Sequence, residues 1–381
     1  MSLINFLFCG DVAPIRRYSN ISDDQSIKLF SDVKELLDQS DFSLLNLESP
    51  LTDKKQKLKK SGPNISASPT FSSTLNKIGF NAVGLANNHI MDMGENGLID
   101  TMDSLKKNEI SYCGAGRNIE EAQKLLILEK NGLKIGIIAI AEIEFNVASG
   151  KKAGAAPLNA ITNFYQIEKA KSEVDIVIIS LHGGNEFFPY PRPNLRKICQ
   201  FFIDLGVEAV ICHHSHIAGA YEMHKSKPII YSLGNFLFDD ARNEDSFWNY
   251  GYMVMLKIDP INKIVESMEI IPYHQSISNP GIKLLHDEKK KVFMRKLLAL
   301  NSNLLDSRKY TKIWKNFCMK SENNVLSLQY LPTNFFGIST LAKCIPISRF
   351  LVSKREIPTK LNLIRCDSHR ELLISVLEQK M

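Results

Sequence analysis

Five times in this chain a short apolar run, with the length and β-branched content of a buried strand, is followed at once by acidic, amide or imidazole residues. The clusters are Cys9-Gly10-Asp11, Asn46-Leu47-Glu48, Ala86-Asn87-Asn88-His89, Leu181-His182 and Cys212-His213-His214-Ser215-His216. In an α/β sheet ligands bind in the crevice beyond the carboxyl ends of the strands, so clusters at such ends can converge although they are scattered from position 11 to position 216. A chain with this pattern is constrained to bring its strand ends together.

The rest of the sequence supplies the strands and helices that this requires. Runs at Ile4–Cys9, Phe42–Asn46, Ala82–Leu85, Ile135–Ala141, Ile176–Leu181, Ala209–Cys212, Ile229–Ser232, Tyr252–Ile258 and Glu266–Pro272 read as strands. Helical apolar spacing occupies Ile27–Gln39, Phe71–Ile78, Gly97–Lys107, Asn163–Ser172 and Leu195–Leu205. Strand alternating with helix specifies an α/β domain. Leu51–Ser68, with Lys54, Lys55, Lys57, Lys59 and Lys60 and then Pro63, and with Pro69 directly after it, has no apolar period and reads as a basic loop leaving Glu48. The alternation stops near Asn279, and helical patterns follow at Lys289–Leu300, Lys309–Cys318 and His369–Leu377. We therefore expect a domain over residues 1–280 and a basic, mainly helical C-terminal extension over 281–381.

Charge follows the same division. The net charge is +6, yet residues 281–381 hold 19 Lys and Arg against 8 Asp and Glu, a net of +11 that leaves −5 for the part before them. Such a tail attracts acidic polymers, anionic membranes or nucleic acid without specificity, and a solvated helical face has the same composition. It lacks the interleaved aromatics of single-strand binders, so no nucleic-acid partner is expected. Seven cysteines, odd in number and without a C-x-x-C pair, suggest neither a disulfide framework nor a thiolate zinc site. No basic n-region precedes the first apolar run, and no stretch approaches the ~18 apolar residues of a membrane span. The expectation is a cytoplasmic protein, with peripheral membrane association open to its basic tail.

The clusters carry the chemistry of a divalent-metal site. In an extended or looped backbone His214 and His216 point the same way and can ligate one ion or two neighbouring ions; a surface loop or two hydrogen-bonded histidines would look alike. Asn88 offers a neutral oxygen ligand, and His89 an imidazole to protonate a departing oxygen, although Asn, Gly94 and Asp92 also make good turn and cap chemistry. Asp11 and Glu48 supply hard oxygen donors, and carboxylates at strand ends are also ordinary caps. His182, followed by Gly183-Gly184, permits close backbone approach to a ligand, with Glu186 available as a second-layer acceptor or a substrate contact.

Taken in order, Gly10-Asp11, Asn46-Leu-Glu-Ser-Pro50, Leu85-Ala-Asn-Asn-His89 with Asp92, Gly94 and Thr101, His182-Gly-Gly-x-Glu186, His213-His-Ser-His216 and Tyr231-Ser-Leu-Gly-Asn-Phe236 resemble the capsule-synthesis CapA family over roughly residues 3–240. That family resembles the calcineurin-like metallophosphatases. The resemblance implies a metallophosphatase-like two-sheet β-sandwich flanked by helices (αββα) with a metal site at its strand ends. It implies Asp11, Glu48, Asn88, His182, His214 and His216 as metal ligands and His89 as the acid; beside them Asp92 and Glu186 are further candidate catalytic groups, and Arg16, His213 and Asn235 candidate substrate contacts. Ala13 stands where the superfamily has a further ligand histidine. Glu48, Asn88, His182 and His214 would thus form a complete set for one ion, and Asp11 and His216 with Glu48 shared an incomplete set for a second. Cys212 replaces a glycine, and Gly183 a tryptophan whose loss implies an open pocket wall.

The expected function is a metal-dependent hydrolase or phosphoesterase using one or two divalent ions (Mn, Fe, Zn or Mg) in capsule or poly-γ-glutamate biosynthesis. Its partner would be an anionic polymer, poly-γ-glutamate or a capsular polysaccharide, or a precursor. Arg16-Arg17 and the basic loop suit such a polymer, as they would suit plain solvation. The alternative is a non-catalytic accessory protein that binds the polymer or a membrane-bound synthase.

Overall fold

The structure, a computed structural model, describes residues 2–19, 23–60, 62–239, 246–276, 278 and 280–330, with single positions at 357, 360, 364 and 377. In chain order its strands are β1 (Ile4–Ala13), β2 (Phe42–Leu47), β3 (Ala82–Gly84), β4 (Ser111–Cys113), β5 (Ala115–Gly116), β6 (Leu126–Lys130), β7 (Leu133–Ala141), β8 (Gly154–Ala155), β9 (Ile176–His182), β10 (Ala209–His213), β11 (Tyr221–His224), β12 (Lys227–Ile230), β13 (Asn235–Phe238), β14 (Tyr250–Asp259), β15 (Ile264–Ser276) and β16 (Gly281–Leu284). The α-helices are α1 (Asp23–Lys28), α2 (Lys34–Asp38), α3 (Phe71–Ile78), α4 (Gly94–Lys107), α5 (Ile119–Ala122), α6 (Ala160–Glu173), α7 (Pro193–Asp204), α8 (Asp287–Leu305) and α9 (Ser307–Tyr330).

Two mixed sheets face each other. One runs β16-β15-β14-β1-β2-β3-β4, with β13 also paired to β1; the other runs β11-β12-β10-β9-β7-β6. A single apolar cluster joins them, with Phe6, Phe8, Leu45 and Val83 from the first and Ile135, Ile137, Ile178 and Ile211 from the second. Helices α6 and α7 pack on β9 and β10, and α4 on β4. This is the helix-flanked two-sheet sandwich expected from the sequence. Strands β1, β9 and β10 are covered on both faces, which is why they read as unbroken apolar runs rather than as alternation.

All nine expected strands are present with shifted ends. Strands β4, β5, β6, β8, β11, β13 and β16 add to them. The β6–β7 hairpin turns at Asn131-Gly132, both at positive φ, as the twist-matched two-residue turn demands. One expected helix is corrected: Ile27–Gln39 is broken into α1, a 3₁₀ turn at Ser31–Val33 and α2. The carbonyl of Leu29 is engaged by the amide of Ile282 at 2.7 Å, and Val33 turns its amide to Phe30 instead. The candidate helix at His369–Leu377 lies outside the described residues except for Leu377.

The chain groups into two compact units, Met1–Ser307 and Arg308–Met381. The first extends past residue 280 because β16 continues the sheet through β15, and because α8 packs on β11 and β15. Leu297 and Leu304 are buried there, and the amide of Tyr221 donates to the Asn301 side chain at 2.8 Å. In the second unit, α9 carries Trp314 stacked on Phe317 with ring centroids 5.8 Å apart. Among the described residues no helix is long and apolar enough to cross a membrane.

Candidate metal centre

Strand β1 changes partner at Gly10. It pairs with β2 on both sides of Gly10, where its register shifts, but its other partner is β14 in the first half and β13 in the second. A Cβ on Gly10 would stand 1.9 Å from the carbonyl oxygen of Gly234, so only glycine fits. The bulge aims Asp11 across the strand ends. Asp11 is fully buried. One carboxylate oxygen accepts from the Asn46 amide at 2.8 Å and lies 3.2 Å from His213 Nδ1; the other accepts from the His214 backbone at 3.1 Å. Burial pushes its pKa up, but the facing His213, His182 and His216 outweigh this and hold it below the usual carboxylate range.

Glu48 closes β2, its amide bonded to the Val12 carbonyl at 2.8 Å. Its carboxylate is fully buried, and neither oxygen has a hydrogen-bond partner among the described residues. Around it stand His182 Nε2 and His216 Nε2, each 3.7 Å from Oε1. Burial and the nearby charges of Asp11, Glu186 and Asp92 push its pKa well up.

His182, at the end of β9, and His214, just beyond β10, face each other through Nε2 and Nδ1 at 3.1 Å, with Asn88 Oδ1 also 3.1 Å from His182 Nε2. Burial holds His182 well below the usual imidazole range and brings His214 down to about 4. Burial thus favours the neutral form of both rings, the form that ligates metal. His214 and His216 both take positive φ, a strained conformation for non-glycine residues that turns both side chains inward. Asn235 Oδ1 lies 3.0 Å from His216 Nδ1, and Trp248 stacks on the same ring at 4.8 Å between centroids.

Two groups of ligand atoms result, Glu48–His182–His214 and Asp11–Glu48–His216, each with its atoms within 4.8 Å of one another. They share Glu48. A fully buried carboxylate without a hydrogen-bond donor is unfavourable unless a cation meets it, so the donor set of carboxylate, amide oxygen and neutral imidazole fits a divalent ion. At the second group, Ala13 belongs to a buried apolar cluster with Ile15 and Phe238, against which Trp248 packs, and adds no ligand.

Beside Asn88, His89 Nδ1 lies 2.6 Å from Asp92 Oδ2, both buried. Asp92 also ion-pairs with Lys60, a residue the sequence marks only as one of a basic run. Three other contributors escape a search by residue type. Asn46 bridges Asp11 and His182, its amide nitrogen 3.1 Å from His182 Nδ1; Asn87 pins its loop by donating to the Leu47 carbonyl at 2.8 Å; and Trp248 backs His216. The signal for the two asparagines was there, since polar residues within or directly after a buried apolar run need partners.

The remaining expected positions are more dispersed. His213 is buried behind Asp11, and Asn235 donates to the carbonyls of His216 and Trp248, the geometry of a group that orients His216. Arg16 is exposed in the loop after β1 and donates to the Asp239 carbonyl at 3.2 Å. Glu186 is exposed, with no hydrogen bond to His182, whose Nδ1 faces Asn46 instead. The wall beside His182, expected to stand open, is filled. A Cβ on Gly183 would lie 2.6 Å from Glu142 Cγ, and Glu142 is held by Arg192 at 2.5 Å.

Residues 5–240 match the family model described as bacterial capsule synthesis protein PGA_cap. The chain is similar to the capsule biosynthesis protein CapA of Bacillus anthracis, 30% identical over 229 residues covering 57% of this chain and 56% of that protein. It is also similar to the PGA biosynthesis protein CapA of Bacillus subtilis (strain 168), 28% identical over 246 residues covering 63% and 65%. A probable polyglutamine synthesis accessory protein of Mycobacterium tuberculosis is 24% identical over 253 residues covering 62% and 67%. The chain thus spans less than two thirds of the length of the first two of these relatives. Among solved structures it is similar to a putative 5'-nucleotidase from Staphylococcus aureus, with a TM-score of 0.47, 15% identity, and coverage of 78% of this chain and 58% of that one.

Proposed function

This chain belongs to the bacterial capsule synthesis protein family, and from that premise we propose that its strand-end cluster is the divalent-metal centre of a hydrolase acting on an anionic surface polymer or its precursor. The observation that carries the reading is Glu48, a buried carboxylate without a hydrogen-bond partner among the described residues, faced by His182 and His216. Glu48, Asn88, His182 and His214 would hold one ion; Asp11, Glu48 and His216 would hold a second more weakly. A bound divalent ion would supply Lewis-acid polarisation of a phosphoryl or acyl oxygen and an acidified water.

The protein's own groups supply the rest. Asp92 takes a hydrogen bond from His89 Nδ1, which fixes the ring and leaves Nε2 as its free nitrogen: a proton acceptor while the ring is neutral, and a donor to a departing oxygen once the ring carries a second proton. Asn46 keeps Asp11 and His182 in register, and Asn235 with Trp248 does so for His216. The exposed Lys54, Lys55, Lys57 and Lys59 give the loop outside the site an attraction for polyanions.

A second reading is a non-catalytic accessory protein that binds the polymer or a synthase. The apolar surroundings of Ala13 favour it, because they leave one ligand group at three side chains. Metal analysis of protein purified without chelator, with phosphodiester and γ-glutamyl hydrolysis assays on the wild type and His214→Ala, separates the two. Stoichiometric Mn, Fe, Zn or Mg, lost with activity in His214→Ala, supports the hydrolase; absence of metal, with polymer binding intact in the variant, sinks it.

A further inference from the structure

We propose that Lys60 is a positioning residue of this site, holding Asp92 and through it His89, so that the loop between β2 and α3 is a working part of the centre. The inference rests on the hydrolase reading above. Of the five lysines in the loop, Lys54, Lys55, Lys57 and Lys59 are exposed, whereas the Lys60 side chain is 5% exposed. Its ammonium ion-pairs with Asp92 Oδ1 and lies 3.2 Å from His89 Nδ1 and 3.4 Å from the Asn88 carbonyl. An ammonium is strongly hydrated, and its removal from water is unfavourable without a charged partner. A solvated basic face accounts for four of these lysines and fails for the fifth.

The ion pair is as specific on the side of the acid. Asp92 is fully buried, and Oδ1 has no hydrogen-bond partner among the described residues, so Lys60 is what balances it. Oδ2 accepts from the Ile65 amide at 2.7 Å and faces His89 Nδ1 at 2.6 Å. A carboxylate only accepts and an ammonium only donates, so Nδ1 cannot serve both; Asp92 is the nearer at 2.6 Å against 3.2 Å for Lys60, whose ammonium has Asp92 Oδ1 as its partner, and this assigns the ring proton to Nδ1 and leaves Nε2 free. The Asp92 carbonyl, in turn, accepts from the Leu58 amide at 2.9 Å. Residues 58, 60 and 65 of the loop therefore close on one aspartate, and that aspartate sets the ring of His89. Removal of the ammonium frees the carboxylate to rotate and His89 to change tautomer.

The test uses the full-length protein as wild type, Lys60→Met, Lys60→Arg, Asp92→Asn and the Lys60→Met/Asp92→Asn double variant. Lys60→Gln serves where Met is not tolerated. Ring ¹⁵N–¹H correlation spectra of the metal-free protein, with His89 assigned through His89→Gln, should show the Nδ1–H form in wild type and Lys60→Arg and a tautomer mixture in Lys60→Met. With Mn²⁺ bound, Lys60→Met should turn over a phosphodiester with an unactivated alkyl alkoxide leaving group with kcat lowered roughly 10- to 100-fold at unchanged KM and Mn²⁺ content. The double variant should be no slower than the slower single one. A wild-type His89 signal in the neutral variant, or a kcat within about twofold of wild type, overturns the proposal. If the wild type turns over neither phosphodiester nor γ-glutamyl substrates, it is the hydrolase reading that falls, and the spectra alone then decide the role of Lys60.

Discussion

The amide of Asp11 donates to the carbonyl of Gly234 at 3.0 Å, and Gly10 faces that same oxygen so closely that a methyl group would stand 1.9 Å from it. The contact joins the two halves of β1 to the segment that leads into β13. A Gly10→Ala substitution has backbone on the opposing side and nothing flexible to displace. It should destabilise the protein by about 3 kcal/mol or more and move Asp11 out of the site. Urea unfolding and Mn²⁺ titration of the variant measure the two effects, and a variant as stable as wild type contradicts this account of the bulge.

Glu48 and the ion that we propose it meets should be linked thermodynamically. Wild-type protein with Mn²⁺ at a hundredfold excess over its Kd should gain about 2.7 kcal/mol of stability. Glu48→Gln should lose that gain while its metal-free stability stays within about 1 kcal/mol of wild type, because the carboxylate it replaces has no hydrogen bonds to lose among the described residues. Thermal melts with and without metal read both, and a Mn²⁺-dependent shift that survives in Glu48→Gln removes Glu48 from the ligand set.

Asn235 makes the two ligand groups separable. Its amide holds His216, which belongs only to the group with Asp11. Asn235→Leu should weaken the weaker of two binding events by about 10- to 100-fold and leave the tighter one in place. Calorimetric titration with Mn²⁺ resolves the two steps; equal weakening of both would mean that the groups do not bind ions independently.

Away from the site, Glu222 on β11 ties α7 to the sheet. Arg196 Nε donates to it at 3.0 Å, Gln200 at 3.0 Å and the Tyr231 hydroxyl at 2.6 Å. Burial pushes its pKa up, but the bonds from Arg196, Tyr231 and Gln200 outweigh burial and hold it below the usual glutamate range. A depressed carboxylate stabilises the fold above its unfolded pKa, and that contribution is lost as pH falls through the folded value. Glu222→Gln should therefore cost about 2–4 kcal/mol at pH 7 and progressively less below about pH 4. Urea unfolding of both proteins at the two pH values checks the sign; a gap that widens in acid contradicts it.

How much of this was legible in the sequence depends on what each residue answers to. The buried strands showed themselves because a strand covered on both faces must be apolar throughout, and β9 and β10 are. The ligands were visible because each follows such a run. Strand β13 was hidden: Asn235–Phe238 is short, and its pairing with β1 is fixed by the bulge at Gly10 rather than by its own pattern. Strand β16 was hidden for a similar reason, since it pairs with β15 and also meets Leu29 of the segment read as one helix. Lys60 could not be told from its four neighbours, because only the fold decides which lysine meets Asp92. The Asn131-Gly132 turn, in contrast, was a readable signal.

The partner change in β1 has a consequence for how the protein is made. Asp11 leaves the ribosome long before its register partner Asn235, and long before Gly234, whose carbonyl accepts the Asp11 amide. A nascent chain can close β1 on β2 early, but its centre stays open until β13 has been synthesised and threaded beside a strand built long before. Contacts so distant in sequence form late and slowly. An ion therefore cannot template the early steps; its uptake would mark the completion of folding, and a stalled or truncated chain would carry most of the ligands and still not hold it.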